Sequence, residues 1–157
     1  MTIKIIMDTD PGIDDAAALT MALNDPQIDL KLITSVAGNV TVDKTTKNAQ
    51  KIVRFFNEKV PVAAGAKQPL IKEFEDAARI HGESGMPGYD FPEDLPKPLD
   101  VSAVEALHDA IMSSERRLHL FLRVHTQTLR YYSVSIQKLR IILNELLLWA
   151  GHLVKVI

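Results

Sequence analysis

The feature that most constrains this chain is the exchange of short apolar runs with helical stretches from Ile3 to Ala64. Ile3 to Met7 is an apolar run closed by Asp8 and reads as a buried strand. After the Pro11-Gly12 turn, Asp14 and Asp15 open the helical stretch DDAAALTMAL, which stops near Asn24-Asp25-Pro26. Ile28 to Val36 reads as a second strand, broken by Gly38-Asn39. Val42 to Asn57 follows as an amphipathic helix with Ala49, Ile52, Val53 and Phe56 on one face. Val60 to Ala64 is a third short strand. Strands that alternate with helices imply an α/β fold with a doubly wound, mostly parallel sheet, whose sites form at the carboxyl ends of its strands. From Gly65 to Pro98 the chain carries glycines, prolines and acids with little periodicity, the pattern of a functional lid or a disordered segment. Ser102 then starts a helix to about Met112, with Glu105 placed for a capping box.

The chemistry is concentrated in DTDPGIDD, where Asp8, Asp10, Asp14 and Asp15 crowd the end of the first strand. Acids at a helix start favour its N-terminus, and solvated turn acids are common. Four carboxylates at one strand-to-helix turn repel one another strongly, and a hard cation with oxygen ligands is the natural counter-charge. Pro11 and Gly12 let the backbone fold back, so that acids from the strand end and the helix start face one point. The acid cluster alone names no reaction. A DxD after a first strand also suits a phosphatase of the haloacid-dehalogenase type. That scheme calls for a small hydroxylated or β-branched residue where Gly12 stands, and it gives Asp14 and Asp15 no role.

Composition excludes other chemistry. The chain has no cysteine, so disulfides, thiolate metal sites and thiol nucleophiles are unavailable, which fits a cytoplasmic protein. Acids come too early in MTIKIIMDTD for a signal peptide, and no apolar run approaches the roughly 20 residues of a membrane span. The net charge of -2 hides a split. Residues 1–114 hold 11 Lys+Arg and 18 Asp+Glu, a net of -7, whereas residues 115–157 hold 7 and 2, a net of +5. All 8 prolines lie in the first part and five arginines in the second, a split that points to a basic interaction tail or to two segments under different constraints.

IIMDTDPGIDDAAAL closely resembles the N-terminal signature of the inosine-uridine-preferring nucleoside hydrolases. The resemblance continues through ITSVAGNV at 33–40, KNAQ at 47–50, PVAAGA at 61–66, QPL at 68–70 and IHGESGM at 80–86, and covers roughly residues 3 to 113. It implies a ribonucleoside hydrolase of purine and pyrimidine salvage, which cuts the N-glycosidic bond with a calcium-bound water. The implied partner is a nucleoside, with no nucleic acid and no membrane, and relatives are usually homo-oligomers. Carried over by position, Asp10 is implied as calcium ligand and general base, and Asp15 as the second calcium ligand. Asp14 is implied on a ribose hydroxyl, Asn39 on the ribose and the water, and Asp8 as support from behind. His81 falls on the loop that relatives place near the base. Taken alone, Asn39 is an ordinary turn residue and His81 an ordinary loop histidine; His108 lacks even the resemblance and reads as structural.

After Ser113-Ser114 the resemblance stops, and the expected GPLTNIA-like and MGG…GN segments are missing. Reading the tail with each codon's third base joined to the next codon's first two permits TNIA and MGG…GN at family-like separation, from Leu120 onward. The expectation is therefore a frameshift near Glu115 and an out-of-frame, truncating tail over residues 115–157, loose or helical and poorly packed, leaving a chain impaired as a catalyst. Arg123, Arg130 and Arg140 among apolar residues would oppose burial. The competing reading is a non-catalytic interaction module, with an amphipathic helix over Ile136, Leu139, Leu143, Leu146 and Leu153 and a basic flank for a partner or membrane surface.

Overall fold

In the computed structural model, residues 2–69, 73–114, 118–122 and 146–148 are described. Five strands form one sheet in the order β3-β2-β1-β4-β5, and each neighbouring pair is parallel. They are β1 (Ile3–Thr9), β2 (Ile28–Ser35), β3 (Val62–Ala64), β4 (His119–Leu122) and β5 (Leu146–Leu148). The helices are α1 (Ile13–Asn24), α2 (Val42–Phe55), the short α3 (Ala78–His81) and α4 (Ala103–Met112). This is the doubly wound α/β sheet that the alternation of runs implies.

Side-chain alternation along the strands builds two cores. Ile5, Met7 and Ile33 face α1 and α2, where they meet Leu19, Ala22, Ala49, Ile52 and Val53. Ile6 and Leu32 point the other way, toward Ala103, Ala106 and Leu107 of α4. A strand buried on both faces has no polar side, which is why IKIIM and LKLI read as near-continuous apolar runs. The register slips once between Ile5 and Ile6, whose partners are Leu30 and Leu32. That bulge leaves Lys31 exposed, ion-paired with Asp29 at 2.7 Å, and keeps both apolar sets facing their cores.

β1 runs two residues past Met7. Asp8 and Thr9 are poor endings for a strand by composition, yet they pair with Thr34 and Ser35, and the Thr34 hydroxyl donates to Asp8 Oδ1 at 2.6 Å. The span read as an aperiodic loop contains α3 and is tied down at Leu99, whose N–H donates to the Val62 carbonyl at 2.8 Å. At α4, Ser102 Oγ accepts from the Glu105 N–H at 3.2 Å, as the capping pattern requires.

The tail needs a correction. Residues expected to be loose or helical include β4, which lies against β1 from Ile5↔His119 to Asp8↔Leu122, and Leu120 is fully buried in the α4-side core. The reason is that β1 is apolar on both faces and open along one edge, and a short run such as LHLFL satisfies that edge. Leu146, assigned above to an amphipathic helix, instead begins β5 beside β4. The rest of the expected tail (115–117, 123–145 and 149–157), with the remainder of that helix, lies outside the described residues. Among the described residues no helix is long and apolar enough to cross a membrane.

Candidate functional site

The strand order reverses at β1, where β2 leaves on one side and β4 joins on the other. The carboxyl end at such a reversal is where open α/β sheets open a crevice. Asp8 and Thr9 end β1 there, Asp10 follows, Pro11-Gly12 turns the chain, and Asp15 sits in the first turn of α1. Gly38 and Asn39 arrive from the carboxyl end of β2.

Asn39 ties the strand end to the helix start. Its backbone N–H donates to Asp10 Oδ2 at 2.6 Å, and its side-chain Nδ2 donates to the Asp10 carbonyl at 3.0 Å and to Asp15 Oδ2 at 3.2 Å. Asp15 Oδ1 accepts from the Thr9 hydroxyl at 2.8 Å, and its Oδ2 accepts weakly from the Gly12 N–H at 3.4 Å. Asp10 and Asp15 are both buried, 6% and 2% exposed. Burial first, and the Asp15 carboxylate second, push the Asp10 carboxyl up to about 7, against the lowering hydrogen bond from Asn39. A carboxyl so placed either keeps its proton or needs a cation.

The other sequence candidates fall into place around this pair. Asp8 is buried behind it, with Oδ1 on Thr34. Asp14 is exposed on the first turn of α1, one residue from Asp15 and on a different side of the helix. His81, half-buried at the end of α3, leans over the turn: a Cβ added to Gly12 would lie 2.7 Å from Asn39 Nδ2 and 2.8 Å from His81 Nδ1. That imidazole nitrogen is buried with no hydrogen-bond partner among the described residues. His108 lies apart on α4.

Two residues escaped the sequence reading. Thr9 holds Asp15, and its only signal was a hydroxyl between two acids. Gly38, read as a strand breaker, is required by close approach, because a Cβ there would run into the Asp10 carboxylate. Gly38→Ala is therefore expected to displace Asp10 and to destabilise the chain by about 1–3 kcal/mol, which thermal unfolding checks.

A model of the inosine-uridine preferring nucleoside hydrolases matches residues 5–122. The chain belongs to this family. Membership sets aside the phosphatase scheme, and the match runs through β4, beyond the point where the motif resemblance stops. The non-specific ribonucleoside hydrolase RihC of Klebsiella pneumoniae is 52% identical over 120 residues, 76% of this chain and 40% of that protein. Its Escherichia coli counterpart is 53% identical over 112 residues, 71% of this chain and 37% of that protein. Among solved structures, a purine-preferring ribonucleoside hydrolase from Gardnerella vaginalis superposes with a TM-score of 0.85 at 27% identity, covering 92% of this chain and 48% of its own. A plant nucleoside hydrolase superposes at 0.78 with 30% identity, covering 87% of this chain and 44% of its own. This nucleoside hydrolase chain thus spans less than half the length of the relatives it matches.

Proposed function

We propose that this chain carries the metal- and ribose-holding half of a ribonucleoside hydrolase site, with Asp10 as general base. The observation that carries this reading is the Asp10–Asp15 pair: two buried carboxylates at the end of β1, tied together by Asn39, with the Asp10 carboxyl pushed up to about 7. Without metal the crowded pair holds a proton at Asp10 near neutral pH, and a bound cation would release it and leave the carboxylate free to accept a proton from water.

Calcium fits the donor set. Asp10 and Asp15 offer carboxylate oxygens and neither nitrogen nor sulfur, the preference of a hard cation. Calcium, when bound, supplies charge that offsets the two carboxylates and acidifies nearby water. Among the described residues, no group of three or more acids or histidines could hold a metal. The protein's share is thus a partial shell, which the family resemblance completes with a carbonyl near a TN segment and an aspartate far downstream.

In the reaction, water adds through oxygen to C1′ of the ribose while the C1′–N bond breaks and its electron pair leaves with the base. Asp10 takes the proton from water. Asp14, exposed beside the pair, and Asn39 hold ribose hydroxyls, so that C1′ stays oriented as it gains oxocarbenium character. His81, converging with Asn39 over Gly12, faces the base side. Asp8 fixes the end of β1 from behind through Thr34.

Two measurements bear on the reading. Calcium should bind with a dissociation constant of about 10⁻⁴ to 10⁻³ M, since calcium sites weaken as ligand charge and number fall. Calorimetry on the full chain checks this, and micromolar binding would mean that the shell is already complete. We also propose that residues from about 115 onward are read out of frame, so that the chain hydrolyses nucleosides far more slowly than a relative carrying the TN and MGG segments. An inosine and uridine assay checks this second expectation.

A further inference from the structure

The KNAQ segment places Asn48 on α2, away from the acids, yet Asn48 reaches the turn that follows Asp10. It is 1% exposed, and its side-chain Nδ2 donates to the Pro11 carbonyl at 3.0 Å and to the Ser84 carbonyl at 2.8 Å. Pro11 follows Asp10 in the turn, and Ser84 lies three residues beyond His81. One carboxamide therefore spans the catalytic turn and the loop that carries the imidazole.

Of the loop's other ties, the Ala77 N–H donates to the Asn39 carbonyl at 3.0 Å just ahead of His81, the Ala66 carbonyl accepts from the Ala37 N–H at 3.0 Å, and three more lie elsewhere along the same helix. Arg54 Nη2 donates to Asp94 Oδ2 at 2.7 Å, the Gln50 side chain to the Pro96 carbonyl, and Lys51 Nζ stands 5.6 Å from the centre of the Phe91 ring. Those contacts hold the far part of the segment to α2 without touching the turn. Met86, 7% exposed, plugs into the core just after Ser84, so the loop has a rigid anchor at the point that Asn48 grips.

We infer that Asn48 is a positioning residue that couples the Asp10–Gly12 turn to the His81 loop, so that order imposed at the acids is passed to the imidazole. The inference rests on the nucleoside-hydrolase reading of the site. Chemistry makes the position demanding. Both acceptors are backbone carbonyls, so the side chain there must supply two N–H donors from one short amide. Aspartate, its near isostere, would set a carboxylate against two carbonyl oxygens. Alanine would leave the buried Pro11 carbonyl without this donor.

The test is amide hydrogen exchange on the full chain, with and without saturating calcium, for the native protein, Asn48→Ala and Arg54→Ala. Without calcium, Asn48→Ala is expected to speed exchange at Gly82–Met86 by about tenfold or more, while β1 and β2 core amides change far less. Arg54→Ala, which frees only the distant end of the segment, should leave Gly82–Met86 as in the native chain. Calcium should slow exchange around Asp10–Asp15 in both the native protein and Asn48→Ala, but should slow Gly82–Met86 in the native protein alone. Uniform acceleration of core and loop amides in Asn48→Ala would make Asn48 an ordinary core residue and overturn the inference, as would loop amides indifferent to the substitution. If calcium leaves the native Asp10–Asp15 amides unchanged, the metal reading fails by itself, and the calcium-free comparison still decides the role of Asn48.

Discussion

On the proposed frameshift, moving the reading frame by one base near the codon for Glu115 is expected to raise inosine and uridine hydrolysis by at least about 10³-fold over the present chain, provided the downstream frame is open. The argument is geometric. Asp10 acts as a base only when water and ribose are held together in attack geometry, and the half-site at the end of β1 holds the sugar from one side alone. The shifted frame permits the TN and MGG segments, and by family resemblance a backbone carbonyl near TN is a further calcium ligand. Asp10→Ala in the repaired protein should return the rate to that of the unrepaired chain, because no other carboxylate on β1 or α1 stands where Asp10 does. The check is a side-by-side assay with calcium present. Rapid turnover by the unrepaired chain contradicts the frameshift reading, and a repaired protein active without Asp10 contradicts the assignment of the base.

The second large effect is on stability. Burial and Asp15 raise the Asp10 carboxyl from 3.8 to about 7, so the folded metal-free chain binds that proton more tightly than the unfolded one. The sign follows directly. The stabilisation is fully present below pH 4 or so, where both states are protonated, and is lost as pH rises through about 7. Each factor of ten in proton affinity corresponds to about 1.4 kcal/mol, which places the loss at roughly 4 kcal/mol as an upper bound. About two of those factors of ten fall between pH 5 and pH 8, so for a chain of this size Tm drops by roughly 5–10 °C over that window in the absence of calcium. Asp10→Asn removes the buried charge while keeping an acceptor for the Asn39 N–H. It should therefore flatten the profile and be the more stable protein at pH 8. Thermal scans across that range in a chelating buffer check both statements.

Much of this architecture is legible in the residues because the physics is local. The apolar runs around Ile5–Met7 and Leu32–Ile33 demand burial, and the helical spacing of Ala49, Ile52 and Val53 points one face inward, so β1–α1–β2–α2–β3 follows from pattern. The acid cluster is legible because four like charges in eight positions demand an explanation. What pattern cannot convey is contact between distant segments. Asp8 reads as the residue that ends a strand; it continues one because Thr34, on the neighbouring strand, donates to it. The Gly65–Pro98 stretch has no periodicity of its own, since its ties come from distant residues: Ala37 and Asn39 before α2, and Asn48, Gln50 and Arg54 on it. The run LHLFL reads as part of a loose tail because of its charged neighbours, but an open strand edge selects for local apolarity, and Leu120 is buried there. Gly38 reads as punctuation in sequence, and only the Asp10 carboxylate beside it shows why a side chain cannot be there.

The central claim is that Asp10 and Asp15 form one half of a calcium site. The most direct measurement is the calcium dependence of thermal unfolding at pH 8, comparing the native chain with Asp10→Asn and Asp15→Asn. The account predicts a native Tm that climbs through millimolar calcium and two variants whose Tm stays flat, with Asp10→Asn starting higher. Equal calcium stabilisation in all three proteins, or none in the native chain, would contradict it.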